Sequence, residues 1–316
     1  MQELSLVTGG GGFIGSHLVE QLTLQGRPVR VFDDFSTGLR SNLAHLNPAP
    51  EIIEGTLTDP EAVARAVDGA KVVYHLGALA SVARSVENPL ASHAACATGT
   101  VNVLDAARKC GVRRVVYAAS SSAYGGTSLD ADAPQTEDLP LAARSPYAAA
   151  KLAGEFYLQA FAETYGLETV RLRFFNIFGP RQRSDSPYSG VIAIFTALMS
   201  AGKAPTIHGD GLQSRDFTYV GNAVQALMKA AAAPNVSGNV YNVGTGKSVT
   251  VLDLVASLNR IFGTKLFPQF AETRAGDVKF SRADISRTQR DLGYKPDVSF
   301  DDGLKQTVDW HISTQG

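Results

Sequence analysis

A glycine-rich turn near the start of the chain constrains the fold more than any other sequence feature. The apolar run Leu4–Thr8 leads directly into glycines, and Gly9, Gly12 and Gly15 have the spacing GxxGxxG. Glycines permit a tight turn between a strand and a helix, and they let backbone N–H groups at the helix N-terminus approach a pyrophosphate. With a strand before it and a helix after it, the turn predicts a dinucleotide site.

An acidic residue follows at the distance that such a site requires. The apolar run Val29–Phe32 ends at Asp33 and Asp34, and Asp33 lies about 20 residues after Gly15. A carboxylate there can accept a hydrogen bond from the 2′-hydroxyl of the adenosine ribose, and it repels a 2′-phosphate. The pattern therefore favours NAD over NADP.

Strand and helix patterns alternate through the first half of the chain. Strands are predicted at Leu4–Thr8, Val29–Phe32, Val72–Leu76, Val115–Ala119 and Thr169–Phe174. Helices are predicted at 15–25, 60–68, 90–110 and 147–165, and after residue 179 at 190–201, 222–232 and 250–262. The alternation predicts an α/β fold, a Rossmann-type doubly wound parallel sheet with a smaller mixed α/β C-terminal lobe. We expect residues 1–178, with parts of 215–248, to bind the dinucleotide and residues 179–316 to bind substrate.

Composition excludes several classes of function. The chain has 29 Lys and Arg against 30 Asp and Glu, which argues against a general electrostatic grip on nucleic acid or on an anionic membrane. Two cysteines, Cys96 and Cys110, are too few for a disulfide framework, and no metal-ligand cluster is apparent. Neither a signal peptide nor a membrane-spanning apolar stretch is apparent, so we expect a cytoplasmic protein without a metal site.

A second motif combines a tyrosine and a lysine on one helix. Ser145 is a good N-cap, Pro146 suits the first helical position, and Lys151 follows Tyr147 by one helical turn. A free phenol has a pKa of about 10, and a nearby ammonium or the positive nicotinamide of NAD favours its phenolate form. Tyr147 is therefore a candidate general acid/base.

A run of serines stands at the end of a predicted strand. Ser120, Ser121 and Ser122 follow Val115–Ala119. Ligands bind at the carboxyl ends of parallel strands, so these hydroxyls could hold a reacting hydroxyl group and share its proton. From the sequence, either Ser120 or Ser121 could carry this relay.

With these motifs the chain resembles the extended short-chain dehydrogenase/reductase family, and within it the UDP-glucose and UDP-N-acetylglucosamine 4-epimerases. The resemblance covers almost the whole chain and includes the stretches 33–38, 75–78, 81–85, 173–180, 208–217 and 274–277. It implies NAD contacts for Gly9, Gly12, Phe13, Ile14, Gly15, Asp33, Asp34, Ser36, Thr37, Gly38, Leu57, Leu76, Ala78, Tyr147, Lys151 and Phe174. It implies substrate contacts for Ser81, Arg84, Ser122, Asn176, Val191, His208, Arg215, Arg274, Asp277 and Ser281.

The resemblance also implies a partner and a few altered contacts. Helices 90–110 and 147–165 resemble those that form a homodimer in relatives. The chain departs from the family pattern at several positions, namely Thr56 for an acid near the adenine, Cys96 for an Asn near NAD, Asn222 for an Asp, and Ala83 and Ala275 for prolines. None of these departures removes a catalytic group.

The reaction that the resemblance implies is oxidation and reduction at C4 of a UDP-sugar. Tyr147 takes the proton of the 4-hydroxyl while the hydride passes to NAD, and the 4-keto sugar is reduced again on its other face. In this scheme Lys151 holds the nicotinamide ribose and lowers the pKa of Tyr147. Related dehydratases carry acids at the positions of Ser121, Ser122 and Ala123, and their absence here favours a 4-epimerase.

The sequence leaves the function open among three alternatives, two of which differ in the sugar. Ser281 stands where epimerases restricted to glucose and galactose often have Tyr, and the stretch 81–85 is most similar to that of N-acetylhexosamine epimerases. Both features favour UDP-GlcNAc/UDP-GalNAc, with UDP-Glc/UDP-Gal as possible further substrates. Arg84 or Arg183 could instead hold a sugar carboxylate, as a UDP-glucuronic acid 4-epimerase requires. A non-catalytic NAD-binding protein is the remaining alternative.

Overall fold

The computed structural model describes residues 3–126, 133–185, 189–273 and 278–315. Its strands are β1 Ser5–Thr8, β2 Val29–Asp33, β3 Glu51–Glu54, β4 Val72–His75, β5 Arg114–Ser120, β6 Glu168–Phe174, β7 Ile177–Phe178, β8 Thr206–His208, β9 Ser214–Arg215, β10 Thr218–Tyr219, β11 Asn239–Val243, β12 Val249–Thr250, β13 Gln269–Ala271 and β14 Phe280–Ser281. Its α-helices are α1 Phe13–Leu24, α2 Pro60–Val67, α3 Val82–Glu87, α4 Pro89–His93, α5 Gly99–Lys109, α6 Pro146–Tyr165, α7 Val191–Ser200, α8 Val220–Ala232, α9 Val251–Phe262, α10 Ser286–Leu292 and α11 Phe300–Gln315.

The central feature is a seven-stranded sheet in the order β11-β6-β5-β4-β1-β2-β3. Every adjacent pair is parallel, from β2 with β3 at one edge to β6 with β11 at the other. The five strands predicted from the sequence are all present, and the predicted Rossmann-type fold is confirmed. The two edge strands, β3 and β11, were not predicted.

Helices cover both faces of this sheet. On one face α2, α5 and α6 bury apolar side chains such as Val63, Leu104 and Leu158 against the strands. On the other face α1 and α8 contribute Leu18, Leu22 and residues around Leu227 to a second core. Helices lie on both faces because consecutive parallel strands must be joined by a crossover, and each crossover helix packs on one face of the sheet or the other.

The helix predicted at 90–110 has a different local geometry from the one expected. The structure divides it into α4, a π-helical segment at Ala94–Thr98, and α5. The hydroxyl of Thr100 donates to the carbonyl of Cys96 at 2.6 Å. A widened turn of this kind is common at functional sites, and it is not visible in the apolar periodicity.

A third core, in the second half of the chain, is built from α7, α9 and α11. Phe195, Leu254 and Leu304 from these helices pack with aromatic residues of β7 and β10. In this half the predicted helices are present as α7, α8 and α9, whereas α10 and α11 were not predicted. β11 belongs to the main sheet and α8 packs against it, so part of the segment 215–248 lies with the first half of the chain. The domain boundary between residues 178 and 179 stays a prediction. Within the described ranges no helix has both the length and the apolar character needed to cross a membrane.

Candidate active site

A cavity of about 1120 Å³ follows the carboxyl ends of the central strands. Its lining includes Gly9 after β1, Asp34 after β2, Gly55 after β3, Leu76 after β4 and Phe175 after β6. All these strands run in the same direction, so the residues that follow them meet at one edge of the sheet. This is the edge at which doubly wound folds bind ligands.

The glycine turn forms a cradle at the start of α1. Gly9 adopts a φ of +69°, and its N–H donates to the carbonyl of Phe32 at 2.8 Å. A Cβ on Gly15 would lie 2.0 Å from the oxygen of Gly9, so no side chain fits there. The turn therefore brings the N-terminus of α1 to the cavity with its first N–H groups uncovered, as a pyrophosphate requires.

Asp33 is fixed beside this turn. One carboxylate oxygen accepts from the N–H of Gly11 at 2.8 Å, and the other accepts from the N–H of Phe35 at 2.8 Å. Burial raises the pKa of Asp33, and the two N–H donors oppose that rise. The carboxylate lines the cavity next to the glycine cradle, which is the arrangement that the adenosine ribose of NAD needs. The residues present therefore fit this cofactor.

Helix α6 carries the tyrosine and the lysine to the opposite end of the cavity. The hydroxyl oxygen of Ser145 caps the helix by accepting from the N–H of Ala148 at 3.1 Å. Tyr147 and Lys151 both line the cavity. The ammonium of Lys151 is buried, donates to the carbonyl of Ala118 at 2.8 Å and lies 4.6 Å from the ring centroid of Tyr117. Lys151 is thus held between β5 and the cavity.

The structure distinguishes between the two serines that the sequence could not separate. Ser120 lines the cavity, and its hydroxyl is near enough to Tyr147 to oppose the rise in the pKa of that phenol, whereas Ser121 and Ser122 are absent from the described lining. The oxygen of Ser120 accepts from the hydroxyl of Ser122 at 2.8 Å and from its N–H at 3.2 Å. Because Ser120 accepts twice, its own hydrogen remains available to a further partner.

The structure does not show the expected lowering of the pKa of Tyr147. Burial raises the pKa of Tyr147 well above its ordinary value, and the neighbouring Ser120 hydroxyl opposes that rise. Burial also lowers the pKa of Lys151. The lysine ammonium donates to the carbonyl of Ala118 and not to the phenol of Tyr147.

Most residues predicted to contact NAD line the one cavity. These are Gly9, Gly12, Phe13, Ile14, Gly15, Asp33, Asp34, Ser36, Thr37, Leu57, Leu76, Ala78, Tyr147, Lys151 and Phe174. Gly38 lies behind the cradle instead, where a Cβ would come within 2.8 Å of Gly11. Its absence from the lining reflects this packing against the turn.

The residues predicted to contact substrate are divided between two places. Ser81 and Arg84 line the cavity, and Asn176 and Val191 adjoin the lining residues Ile177 and Gly190 without lining it themselves. His208, Arg215 and Ser281 lie outside the lining. Arg215 and Ser281 are register partners on the neighbouring strands β9 and β14. Arg274 and Asp277 lie outside the described residues.

Among the lining residues that the sequence analysis missed are two with polar side chains next to the stretch 173–180. Arg181 adopts a φ of +66° after Pro180, and its guanidinium pairs with the carboxylate of Glu20 on α1 at 2.5 Å. Gln182 follows it in the lining and donates to the carbonyl of Ile177 at 3.3 Å. Both directly follow the stretch 173–180 that carried the family resemblance, so extending that stretch by two residues would have found them.

Comparison with known proteins agrees with this geometry. Residues 5–244 match the model of the NAD dependent epimerase/dehydratase family. A UDP-glucose 4-epimerase of Mycolicibacterium smegmatis is 36% identical over 97% of this chain and 97% of its own.

Two solved structures have the same fold over the whole chain. The UDP-glucose 4-epimerase of Thermotoga maritima with UDP-glucose is 36% identical, with a TM-score of 0.93 over 99% of this chain and 100% of its own. The UDP-N-acetylglucosamine 4-epimerase of Methanobrevibacter ruminantium M1, in complex with UDP-N-acetylmuramic acid, is 36% identical, with a TM-score of 0.94 over 99% of both chains.

The fold and the site together define an NAD-dependent enzyme of the short-chain dehydrogenase/reductase type. The chain belongs to the NAD dependent epimerase/dehydratase family. The sequence-based predictions of an epimerase enzyme and of NAD as its cofactor are confirmed.

Proposed function

We propose that the protein interconverts UDP-GlcNAc and UDP-GalNAc at C4 of the sugar, and that it also accepts UDP-Glc and UDP-Gal. The observation that carries the proposal is the meeting of Ser120, Tyr147 and Lys151 in the same cavity as the glycine cradle. A sugar held there has its C4 hydroxyl between a proton acceptor and a nicotinamide site.

The proposed mechanism assigns one task to each of these side chains. NAD, when bound, supplies the hydride acceptor and donor for C4. Tyr147 removes the proton of the 4-hydroxyl and later returns it, and Ser120, which lines the same cavity, orients that hydroxyl. Lys151 is held by Ala118 at the depth where it can donate to the nicotinamide ribose. The positive charge of the bound cofactor then favours the phenolate that burial alone disfavours.

The carboxylates around the cavity favour epimerisation over dehydration. Asp33, Asp34 and Asp185 are the acidic residues of the described lining, and the first two belong to the cradle at the adenosine end. Positions 121–123, where dehydratases have acids, are Ser, Ser and Ala. Elimination of water needs an additional acid or base next to the sugar, and none of the described lining supplies one beside Tyr147.

A small residue supports the choice of an N-acetylated sugar. Ser281 is 7% exposed and lies beside Arg215 across β9 and β14. A serine is smaller than the tyrosine of epimerases restricted to glucose and galactose, and we propose that the difference accommodates an acetamido group, which is worth about 1–3 kcal/mol in binding. The solved relative from Methanobrevibacter ruminantium M1, a UDP-N-acetylglucosamine 4-epimerase, supports the same choice.

One observation favours a second candidate, a UDP-glucuronic acid 4-epimerase. Arg84, Arg181 and Arg183 all line the cavity, and a guanidinium can bind a sugar carboxylate through two parallel hydrogen bonds. Arg181 and Arg183 already pair with Glu20 and Asp185. At Arg181 or Arg183 a carboxylate on the sugar would therefore have to replace a protein carboxylate, and we rank this candidate second.

Exposed apolar side chains support the proposed homodimer. Val86 is 65% exposed, Leu90 is 81% exposed and Phe156 is 58% exposed, and they belong to α3, α4 and α6, which contact one another. Burying such side chains against a second copy would gain about 1.5–3 kcal/mol each. The location in the cytoplasm stays a prediction.

The test is direct conversion of sugars, followed by the anomeric-proton NMR signal of each product. UDP-GlcNAc, UDP-Glc and UDP-GlcA are incubated separately with the purified protein and with Tyr147→Phe. We expect conversion of UDP-GlcNAc to UDP-GalNAc, slowed at least about 100-fold in the variant because the proton acceptor is gone. Conversion of UDP-GlcA alone would replace the first candidate by the second. Conversion of none of the three would refute both.

A further inference from the structure

A buried polar network connects the serine turn to helix α6. Tyr124 ends the 3₁₀ turn Ser121–Tyr124 that begins immediately after Ser120, and its side chain is fully buried. The phenol donates to the side-chain oxygen of Asn242 at 2.6 Å and accepts from a guanidinium nitrogen of Arg173 at 3.0 Å. Burial raises the pKa of Tyr124 to about 12, so the phenol keeps the proton that it donates.

The same guanidinium reaches the helix that carries the tyrosine and the lysine. Arg173 donates to the two carboxylate oxygens of Glu155 at 3.0 Å and 2.8 Å, and both residues are nearly inaccessible to solvent. Glu155 lies one helical turn after Lys151 and two turns after Tyr147 on α6. Arg173 is therefore bonded at one side to the serine turn and at the other to α6.

Asn242 extends the network to the second half of the chain. Its side-chain N–H groups donate to the carbonyls of Gln135 at 2.8 Å and Asp284 at 3.2 Å. Its backbone N–H donates to the carboxylate of Glu137 at 2.8 Å. The residue at 284 follows β14, the strand that contains Ser281, so the network joins the serine turn to the segment proposed to border the sugar.

Every polar atom in this network has a partner inside the protein, and the network has no contact with the cavity. Tyr124, Arg173, Glu155 and Asn242 are absent from the described lining. Buried polar groups that are fully paired are rigid, because each movement breaks a hydrogen bond that water cannot replace. A planar guanidinium that bridges two elements also fixes their relative orientation, which a lysine cannot do.

We propose that Tyr124 is a positioning residue for the C4 chemistry, because with Arg173 and Glu155 it fixes the serine turn against α6 and so holds Ser120 against Tyr147. The inference rests on the proposed function, since it assigns Tyr124 an effect on the proton transfer at Tyr147. Tyr124 touches neither sugar nor cofactor, so it acts only through Ser120. Loss of its hydroxyl loosens the turn while the cavity lining stays intact.

The experiment is a double-mutant cycle on the rate of UDP-sugar conversion. We expect Tyr124→Phe to lower kcat by about 10- to 100-fold, with KM changed by less than about threefold, because misplaced groups slow chemistry more than they weaken binding. In the Ser120→Ala background the same substitution should change kcat by less than about twofold, since the group it positions is absent. An undiminished effect of Tyr124→Phe in that background would overturn the proposal.

Tyr294→Phe is the matched control. Tyr294 is also buried, and its phenol donates to the carbonyl of Gly244 at 2.8 Å, away from α6 and the serine turn. Tyr294→Phe removes one buried hydrogen bond of the same kind, and we expect its kcat to stay within about twofold of the wild-type value. Equal losses of kcat in Tyr124→Phe and Tyr294→Phe would mean that both residues only stabilise the fold.

Two further measurements cover the remaining outcomes. If Tyr124→Phe does not fold, Arg173→Lys tests the network from its other end, because it keeps the charge beside Glu155 and loses the bond to Tyr124; it should show the same kcat loss and the same dependence on Ser120. If the wild type converts no UDP-sugar, the proposed function fails separately. The phenolate absorbance of Tyr147 is then measured in the NAD complex, where the cofactor charge favours the phenolate, as the difference from Tyr147→Phe. An apparent pKa that Tyr124→Phe leaves unchanged overturns the proposal.

Discussion

The cofactor part and the substrate part of this enzyme are built in different ways. The cofactor part stands at one edge of a single seven-stranded parallel sheet, and its glycine cradle, its acid and its lysine follow successive strands of that sheet or lie on a helix packed against it. The substrate part depends on two- and three-stranded sheets in which β9, β12 and β14 come from distant segments of the chain.

The difference teaches how each part is held in place. Backbone geometry fixes the cofactor part, since the cradle exists wherever a strand, a glycine turn and a helix follow one another. Side-chain contacts fix the substrate part. The carboxylate of Asp216, next to Arg215, is fully buried and accepts from Thr245, Gly246 and Ala283. Changes to the cofactor part should therefore act through sterics, and changes to the substrate part through individual polar contacts.

The largest effect is expected at the glycine cradle. Gly15→Ala places a Cβ 2.0 Å from the oxygen of Gly9, so the turn must open and its N–H groups move away from the pyrophosphate. We expect NAD affinity to fall by more than about 100-fold, which a local overpacking cost of about 3 kcal/mol produces. The measurement is equilibrium NAD binding by calorimetry, together with the cofactor content of the purified protein.

Gly26→Ala is the control for this substitution. Gly26 has a φ of +70° and no neighbouring atom within 4 Å of an added Cβ, so the change costs about 1 kcal/mol of stability through the backbone alone. NAD binding should be unaffected. If Gly15→Ala kept full NAD affinity, close backbone packing would not determine the shape of the cradle. The proposed difference between the cofactor part and the substrate part would then be wrong.

An intermediate effect is expected in the substrate part. Arg215→Ala removes a guanidinium that donates to the backbone carbonyls of Ser214 and Lys279 and that the family resemblance implies as a substrate contact. We expect KM for the UDP-sugar to rise about tenfold while NAD affinity stays the same, since a charge-assisted hydrogen bond contributes about 1.5–3 kcal/mol and water replaces part of it. Steady-state kinetics and NAD calorimetry on the same preparation measure both.

Arg260→Ala serves as the control for charge. Arg260 is on α9, with its side chain 67% exposed in a long pair with Asp301, and its loss should leave KM unchanged. If Arg215→Ala weakened NAD binding as much as substrate binding, the two parts would not be separable. An unchanged KM would remove Arg215 from the proposed substrate contacts.

The sequence predicts most of the fold because most of its elements have local signals. The five predicted strands of the main sheet are short apolar runs between turn residues, and the caps of α6 are visible as Ser145 and Gly166. The edge strand β3 was not predicted because its sequence, Glu-Ile-Ile-Glu, is mostly exposed and lacks a longer apolar run. The π-helical segment Ala94–Thr98 within 90–110 is a backbone feature that apolar periodicity does not reveal.

Prediction of the site follows the same division. The cofactor residues lie in contiguous motifs, and a few short stretches contain nearly all of the residues that were predicted to contact NAD and that line the cavity. Tyr124, Arg173 and Asn242 are far apart in sequence, and only the folded chain brings their polar groups within 3.0 Å of one another. Arg173 was noted only as part of a stretch similar to the family's. The choice between Ser120 and Ser121 likewise depends on the turn geometry after β5.

The smallest effect concerns a histidine buried under the cofactor part. His75 is fully buried between Thr8 and Thr100, with hydrogen bonds of 2.8 Å and 3.0 Å. Burial, and then the charge of Lys151, lower its pKa to about 3. Below pH 6.5 His75 therefore binds a proton in the unfolded chain but stays neutral in the folded protein, and the free energy of unfolding falls as pH falls. Between pH 7 and 5.5 this amounts to about 1 kcal/mol.

His17 acts in the same direction, since burial lowers its pKa to about 4. We therefore expect the wild type to lose about 2–3 kcal/mol over this interval from the two histidines and His75→Gln to lose about half as much. Urea titrations at pH 7 and 5.5 measure both proteins. If His75→Gln does not reduce the loss of unfolding free energy between pH 7 and 5.5, His75 takes up its proton in the folded state. The hydrogen-bonded residues Thr8, His75 and Thr100 would then be accessible to water.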